Sequence, residues 1–371
     1  MSIIIGADIV PVDSNRNLFE NALVDQLVGE ELLEIISRAD FRIFNLEVPL
    51  TDTATPIEKH GRNLIASTKS VNGIKKLGVD LVTMANNHIM DQGIQGLQST
   101  IQALNNAEIR FVGVGSNLKE AQQPYYFISK GIKYGVYACA EHEFSIAQDD
   151  YPGANPFDPF ESLDHVASMK ASCDYVIVLY HGGKEQYRYP SPSLQKTCRK
   201  FIDKGADFVI CQHSHCIGCK EEYKNGTVVY GQGNFLFSQW DNEYWNSGLL
   251  IRINNNKSVD YLPIVKAKRG VRLAKNDEKD KILAEFEVRS EQIKQSGFIN
   301  ENYEKLANTL IDDYLLNISG RHNYLFRLLN KVSGNRLKRI YSSRYKKRIG
   351  LYLRNTIECE AHRELIIKGL M

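Results

Sequence analysis

Five short apolar runs in this chain end abruptly on residues able to hold a cation or move a proton. Residues 2–7 lead to Asp8, and residues 42–46 lead to Glu47. Residues 81–85 lead to Asn86, Asn87 and His88, with Asp91 three positions further on. Residues 175–180 lead to His181, and residues 208–212 lead to His213-Ser214-His215. Runs this short, rich in Val and Ile and separated by helical patterns, read as strands of a layered α/β fold. Functional crevices in parallel α/β sheets form outside the carboxyl ends of the strands. A fold that aligns these ends gathers Asp, Glu, Asn and three His around one point.

The same alternation organises the first 265 residues. A long amphipathic helix is expected over 17–38, with others over 70–77, 94–105, 159–171 and 194–204. Further strands are expected at 110–114, 133–139, 227–230, 248–253 and 259–265. Past about residue 275 the sequence becomes charged and helix-favouring. A domain boundary is therefore placed there, giving 1–275 as an α/β domain and 276–371 as a helical appendage. At 371 residues the chain exceeds the roughly 150 residues typical of one domain, which fits this division. Hydrophobic residues at 43% and charged residues at 24% exclude a disordered or collagen-like chain.

The convergent donors carry a chemical implication. Carboxylate, imidazole and amide oxygen suit Mn, Fe or Zn and disfavour thiolate-loving centres. Six ligands exceed what one open catalytic ion needs and match a pair roughly 3.5–4 Å apart, with Glu47 able to bridge. His88 is placed to protonate a leaving oxygen, and Asp91 to orient His88. Each residue also has a plainer reading: Asp8 as a turn cap, Glu47 as an exposed strand end, Asn86-Asn87 as turn chemistry, His88 as a structural imidazole. The His213/His215 pair is more telling, because side chains at i and i+2 share a side in an extended segment. Coincidence at all five ends is the weaker explanation.

In order along the chain these motifs resemble the CapA-type branch, associated with capsule and poly-γ-glutamate synthesis, of the calcineurin-like metallophosphatases. The matching stretches are Gly6-Ala7-Asp8, Asn45-Leu46-Glu47, Asn86-Asn87-His88 with Asp91 and Gly93, Gly113-Val114-Gly115, and His181-Gly182-Gly183-Lys184-Glu185. To these are added Gln212-His213-Ser214-His215 and Gly233-Asn234-Phe235. The resemblance covers roughly residues 3–240 and implies a four-layer α/β/β/α sandwich. It implies a divalent metal site, two ions of Mn, Fe or Zn, held by Asp8, Glu47, Asn87, His181, His213 and His215. His88 is then the acid, with Asp91 beside it. The implied activity is a phosphoesterase-like hydrolase in capsule or exopolymer synthesis, with metal-activated hydroxide as nucleophile. Val10 stands where such enzymes usually carry a His, Gln212 where a Gly is usual, and Gly182 where a Trp is common. The missing imidazole at Val10 puts the second ion in doubt. It also motivates the competing reading of a non-catalytic module that binds polymer or a synthase partner.

Arg16, Lys184, Glu185 and Asn234 lie near motif residues and are candidates to contact an anionic or phosphorylated substrate, small or polymeric. The aromatics Tyr187, Tyr189, Trp240, Tyr244 and Trp245 are candidates for a pocket wall. Cys211, Cys216 and Cys219 allow a structural zinc reading, but a lone C-x-x-C is weak and free thiols are preferred. Seven cysteines, an odd number, point to a reducing compartment. A net charge of +2 leaves no general polycation for nucleic acid. Residues 331–348 hold eight basic side chains and no acidic one. They form a solvated face packed on the domain, the default reading, or a contact with an anionic membrane surface or with nucleic acid. With no secretory signal pattern and no long apolar run, the expected setting is the cytoplasm, peripheral to the membrane at most.

Overall fold

The computed structural model describes residues 2–237, 242–320 and 324–370. Two compact units divide the chain, Met1–Ile299 and Asn300–Met371.

In the first unit the apolar runs pair in parallel. Ser2–Ile9, Phe41–Leu46, Leu81–Thr83 and Arg110–Val112 form half of an eight-stranded sheet. Antiparallel Ser247–Asn254, Val259–Ala267 and Gly270–Leu273 continue it on the other side of Ser2–Ile9. The short Asn234–Leu236 strand also pairs with Ser2–Ile9, in parallel. A second sheet of six strands has four parallel inner members, Ile132–Ala140, Tyr175–His181, Phe208–Gln212 and Gly226–Tyr230. Its edges are Tyr125–Ser129 and Lys220–Tyr223.

Side chains alternate across a strand, and that alternation sorts the core into layers. Ile3, Ile5, Ile43 and Leu81 of the first sheet meet Val136, Ile177, Leu179 and Ile210 of the second. Ile4, Phe44 and Val82 point the opposite way, onto Phe19, Leu32, Leu97 and Leu104 of the first sheet's helices. Beyond the second sheet, Tyr137, Val178, Val209 and Val228 pack on Val166, Met169, Leu194 and Phe201. Those four lie on helices Glu161–Lys170 and Pro192–Asp203. The result is an α/β/β/α sandwich, and the parallel strands of both sheets deliver their carboxyl ends to one rim.

Some expected elements differ. The helix expected over 17–38 is three short ones, Arg16–Glu20, Val24–Val28 and Glu30–Ser37. Ala22 (φ 54°) and Gly29 (φ 70°) take left-handed backbone between them, which a continuous helix excludes. Val114 leaves the strand at Val112 and pairs instead with Ala154. The compositional shift at 275 marks where strands give way to helices, while the first compact unit runs on to Ile299. Helix Asn276–Gln292 belongs to it, with Phe286 fully buried against Leu249 and Ile217.

In the second unit, residues 331–348 span the end of helix Tyr324–Val332, a turn with Gly334 and Asn335 at positive φ, and most of helix Arg336–Glu358. Ser342 donates to Asp312 (2.6 Å) and Lys338 pairs with Asp313 (2.5 Å), so one side of that helix is packed within its own unit. Leu337 and Ile340 remain exposed. Among the described residues no helix is long and apolar enough to cross a membrane.

Candidate metal centre

Register places the donors. Asn45 lies opposite Asp8 across one strand pair, and Asn234 lies opposite Asp8 on its other side. In the second sheet His181 pairs with both Gln212 and Ala140. Two glutamines tie the sheets together behind this rim. The Gln212 amide donates to the Gly6 carbonyl (3.1 Å) and to Gln232 Oε1 (3.1 Å), and Gln232 donates to the Ile5 carbonyl (3.0 Å). Gln212, a departure from the family pattern, thus joins the second sheet to the first. Gly182 has a steric reason as well: a Cβ there would sit 2.6 Å from the Glu141 carboxyl carbon and from the Tyr180 ring. A Trp does not fit that space.

Asp8, Glu47, Asn87, His181, His213 and His215 come together, all buried. His181 Nε2 faces Asn87 Oδ1 at 3.1 Å, His213 Nδ1 at 3.2 Å and Glu47 Oε1 at 3.3 Å. His215 Nδ1 lies 2.9 Å from Asn234 Oδ1 and 3.5 Å from Asp8 Oδ2. Donor atoms of Glu47, His181 and His213 lie within 4.8 Å of one another, as do those of Asp8, Glu47 and His215. Among the described residues these are the two such clusters, and Glu47 belongs to both. Neither contains a cysteine. Burial instead raises the Cys216 thiol to about 11, the opposite of what a thiolate ligand needs.

The cluster is short of hydrogen-bond donors. Both Glu47 carboxylate oxygens and Asp8 Oδ2 are buried without a hydrogen-bonding partner. Unpaired buried carboxylate oxygens cost several kcal/mol and survive where a cation completes them. The ionisation pattern says the same thing. Burial and the neighbouring Asp8 charge push Glu47 well above the usual carboxyl range. Burial also depresses His181, to about 4, against the pull of Asp8. It depresses His213 too, reinforced by His181 and His215. His215 moves the other way, to about 9: burial opposes its charge, but Glu47 and Asp8 together outweigh it. Asp8 itself stays low, since His215 overcomes the burial penalty. Without a metal, then, the cluster favours holding a proton over leaving its carboxylates bare. The residues fit a divalent cation.

The backbone at the last two imidazoles departs from the sequence expectation. His213 (φ 82°) and His215 (φ 52°) both sit in left-handed conformation, in the bends that follow strand Phe208–Gln212. Their rings are still brought within 6.0 Å, by two strained residues rather than by an extended segment. Such conformations cost about 1–3 kcal/mol each.

Beside the cluster, His88 Nδ1 lies 2.6 Å from Asp91 Oδ2. Asp91 also accepts from the Leu64 amide (2.6 Å) and forms a buried ion pair with Lys59, whose Nζ is 3.3 Å from His88 Nδ1. The Asn87 loop is pinned by Ser145, which donates to the Asn87 carbonyl (2.7 Å). Sequence reasoning missed several of these residues. Asn45 donates to Asp8 (2.7 Å), and Asn86 donates to Asn45 (3.1 Å) and to the Leu46 carbonyl (2.8 Å). Glu143 accepts from Asn87 Nδ2 (3.0 Å). Asn45 and Asn86 stood inside the quoted motifs and were legible there; Glu143 and Lys59 lie in loops with no pattern to mark them.

The expected substrate contacts divide. Asn234 Oδ1 is engaged with His215, which makes it a support for an imidazole, while its Nδ2 is buried with no hydrogen-bond partner. Arg16 pairs with Asp13 (2.8 Å), not with a cluster residue, and is half exposed. Lys184 and Glu185 are exposed on the loop that follows His181, and the Glu185 charge reaches both His213 and His215. Trp245 packs on the His215 ring (centroids 4.7 Å), Tyr187 and Tyr189 pack on each other, and Trp240 lies outside the described residues. Val10, in the position of the missing imidazole, is buried in the apolar core on the helix side of the first sheet.

A four-layer sandwich with a carboxylate–imidazole cluster at its strand ends defines a metallophosphatase-like α/β protein. Within that class the chain matches the family described as bacterial capsule synthesis protein PGA_cap over residues 3–239, and it belongs to that family. It is 27% identical over 278 residues to the capsule biosynthesis protein CapA of Bacillus anthracis, covering 67% of this chain and 68% of that one. To the PGA biosynthesis protein CapA of Bacillus subtilis it is 29% identical over 215 residues, covering 56% of each. Among solved structures it is similar to a novel phosphatase from Mycoplasma pneumoniae, with TM-score 0.45, 19% identity, and 71% and 93% of the two chains covered. A 5′-nucleotidase from Candida albicans aligns with TM-score 0.41, 13% identity, and 84% and 57% covered.

Proposed function

We propose that the chain is a metal-dependent hydrolase, acting on a phosphoester in the synthesis of a capsule or related exopolymer. The observation that supports it is Glu47, a buried carboxylate with no hydrogen bond to either oxygen, shared by two triads of donors. On this reading Glu47, His181 and His213, with Asn87, hold one divalent ion, and Asp8, Glu47 and His215 hold a second. Mn, Fe and Zn all suit that donor set. When bound, such ions supply Lewis acidity that polarises a phosphoryl oxygen and lowers the pKa of a water toward about 7.

The chain's own residues do the rest. Asp91 accepts from His88 Nδ1 and fixes the ring, leaving Nε2 to carry the proton a departing alkoxide needs. Lys59, buried against Asp91, holds that carboxylate in place. Asn45 and Asn86 hold Asp8 and the Leu46–Glu47 turn in place. The reading sets the protein in the cytoplasm, as its odd number of free cysteines suggests, with contact between residues 331–348 and an anionic lipid surface supported by their eight basic side chains. The test is His88→Ala assayed on an aryl phosphate with added Mn²⁺. Turnover should fall about 10²–10⁴-fold while metal content is kept; full turnover in the variant, or none in the parent with any divalent ion, contradicts it.

A further inference from the structure

A cavity of about 640 Å³ opens in the first unit, beside the donor cluster. It shares two loops with His215. Ile217, two residues beyond His215, lines it, as do Asn246 and Ser247, which follow the Trp245 ring packed on His215. Five basic side chains line it, Arg188, Arg289 and Lys281 among them, against three acidic ones, Glu243, Glu278 and Glu285.

Two of these cations are held in an unusual way. Arg188 donates Nη1 to the Ile217 carbonyl (3.2 Å), and Arg289 donates Nε to the next carbonyl, Gly218 (2.7 Å). Consecutive peptides thus anchor two guanidiniums side by side, and the Arg188 plane is also stacked over Tyr244 at 4.8 Å. Arg289 is nine-tenths buried. Glu243 and Glu285 make only long ion pairs with Arg188 and Arg289, at 3.9 and 3.8 Å, beyond hydrogen-bonding distance. A guanidinium has five N–H donors, and each of these two spends one on a carbonyl. Arg289 is buried and Arg188 partly so, and two guanidiniums held close together repel each other until an anion sits between them. The same preorganisation makes them selective for planar or tetrahedral oxyanions. Burial, with Arg188 repulsion second, already lowers the Arg289 pKa from its ordinary value.

We propose that this cavity is an oxyanion subsite, in which Arg188 and Arg289 hold a carboxylate or phosphate group of the substrate at a point distinct from the metal-binding donors. It deepens the hydrolase reading, and rests on that reading for the term substrate, whereas the binding itself does not require turnover. A polymer carrying repeated anionic groups would engage both places at once.

The test is equilibrium binding to the full chain, with chelator present and at low salt, of two fluorescent probes: a short synthetic oligoglutamate and tripolyphosphate. Arg188→Gln should weaken binding about tenfold or more, as loss of a charge-assisted bond does. Lys281→Gln, on the exposed rim, should weaken it only about two- to threefold while flattening its salt dependence. His181→Asn should leave it unchanged. Matched circular dichroism and thermal transitions establish that the variants fold. Binding of one probe alone supports the subsite and identifies which oxyanion it takes. Failure of both probes to bind, or undiminished binding in Arg188→Gln, overturns the inference. Loss in His181→Asn with retention in Arg188→Gln also overturns it, assigning the anion to the donor cluster and leaving the hydrolase reading intact. Arginine-dependent binding without turnover in the parent leaves the subsite standing and defeats the hydrolase reading.

Discussion

At Glu47 and His215 the chain carries ionisation states that make sense only together. Burial beside Asp8 raises Glu47, and the two carboxylates raise His215 to about 9. Both folded-state values lie above those of the unfolded chain. Each group therefore contributes stability that is complete below its unfolded pKa and is lost as pH rises through the folded one. For His215 that window runs from 6.5 to about 9. Chelated protein should accordingly show a falling urea midpoint between pH 6.5 and 9, and Mn²⁺ should reverse the fall, because a cation replaces the departing protons. A midpoint that rises over that interval under chelation contradicts the assignment. None of this was legible residue by residue. Asp8, Glu47 and His88 each had an ordinary explanation in sequence, and only their shared position at strand ends separated function from turn chemistry.

At the scale of elements, the strands were legible and the devices joining them were not. Apolar runs such as 2–7 and 175–180 announce buried parallel strands because both faces are covered, and their register then carries Asp8 and His181 to the rim. Helix 17–38 was misread because periodicity continues through Ala22 and Gly29, where the backbone turns left-handed. Strand Asn234–Leu236 was hidden by Gly231 and Gly233 before it. Gln212 looked like a mere departure from a family pattern, yet its amide bridges the two sheets. Gln212→Leu should strip a buried donor from the Gly6 carbonyl and destabilise the protein by about 1–3 kcal/mol in urea titration. A variant within about 0.5 kcal/mol of the parent would show that the bridge is not structural.

Taken whole, the first unit closes three cores within its own residues: helix on sheet, sheet on sheet, and sheet on helix. The strands supplying the donor cluster all lie in it. Residues 1–299 alone should therefore unfold in one cooperative transition and bind Mn²⁺ as the full chain does, checked by calorimetry with and without the ion. A broad, non-cooperative melt would place part of the core's support in residues 300–371. Composition pointed toward this division, since the strands stop before 275. It could not locate the boundary, because helix Asn276–Gln292 is charged on most faces and only Phe286, Arg289 and Ser290 are buried.

Metal content of the purified full chain tests the central claim most directly. Elemental analysis after dialysis against Mn²⁺ should find one to two ions per chain in the parent, and Glu47→Gln, which removes the carboxylate shared by both triads, should lose most of that metal while remaining folded. A parent chain that takes up no divalent ion, or a Glu47→Gln variant that holds as much as the parent, would contradict the account.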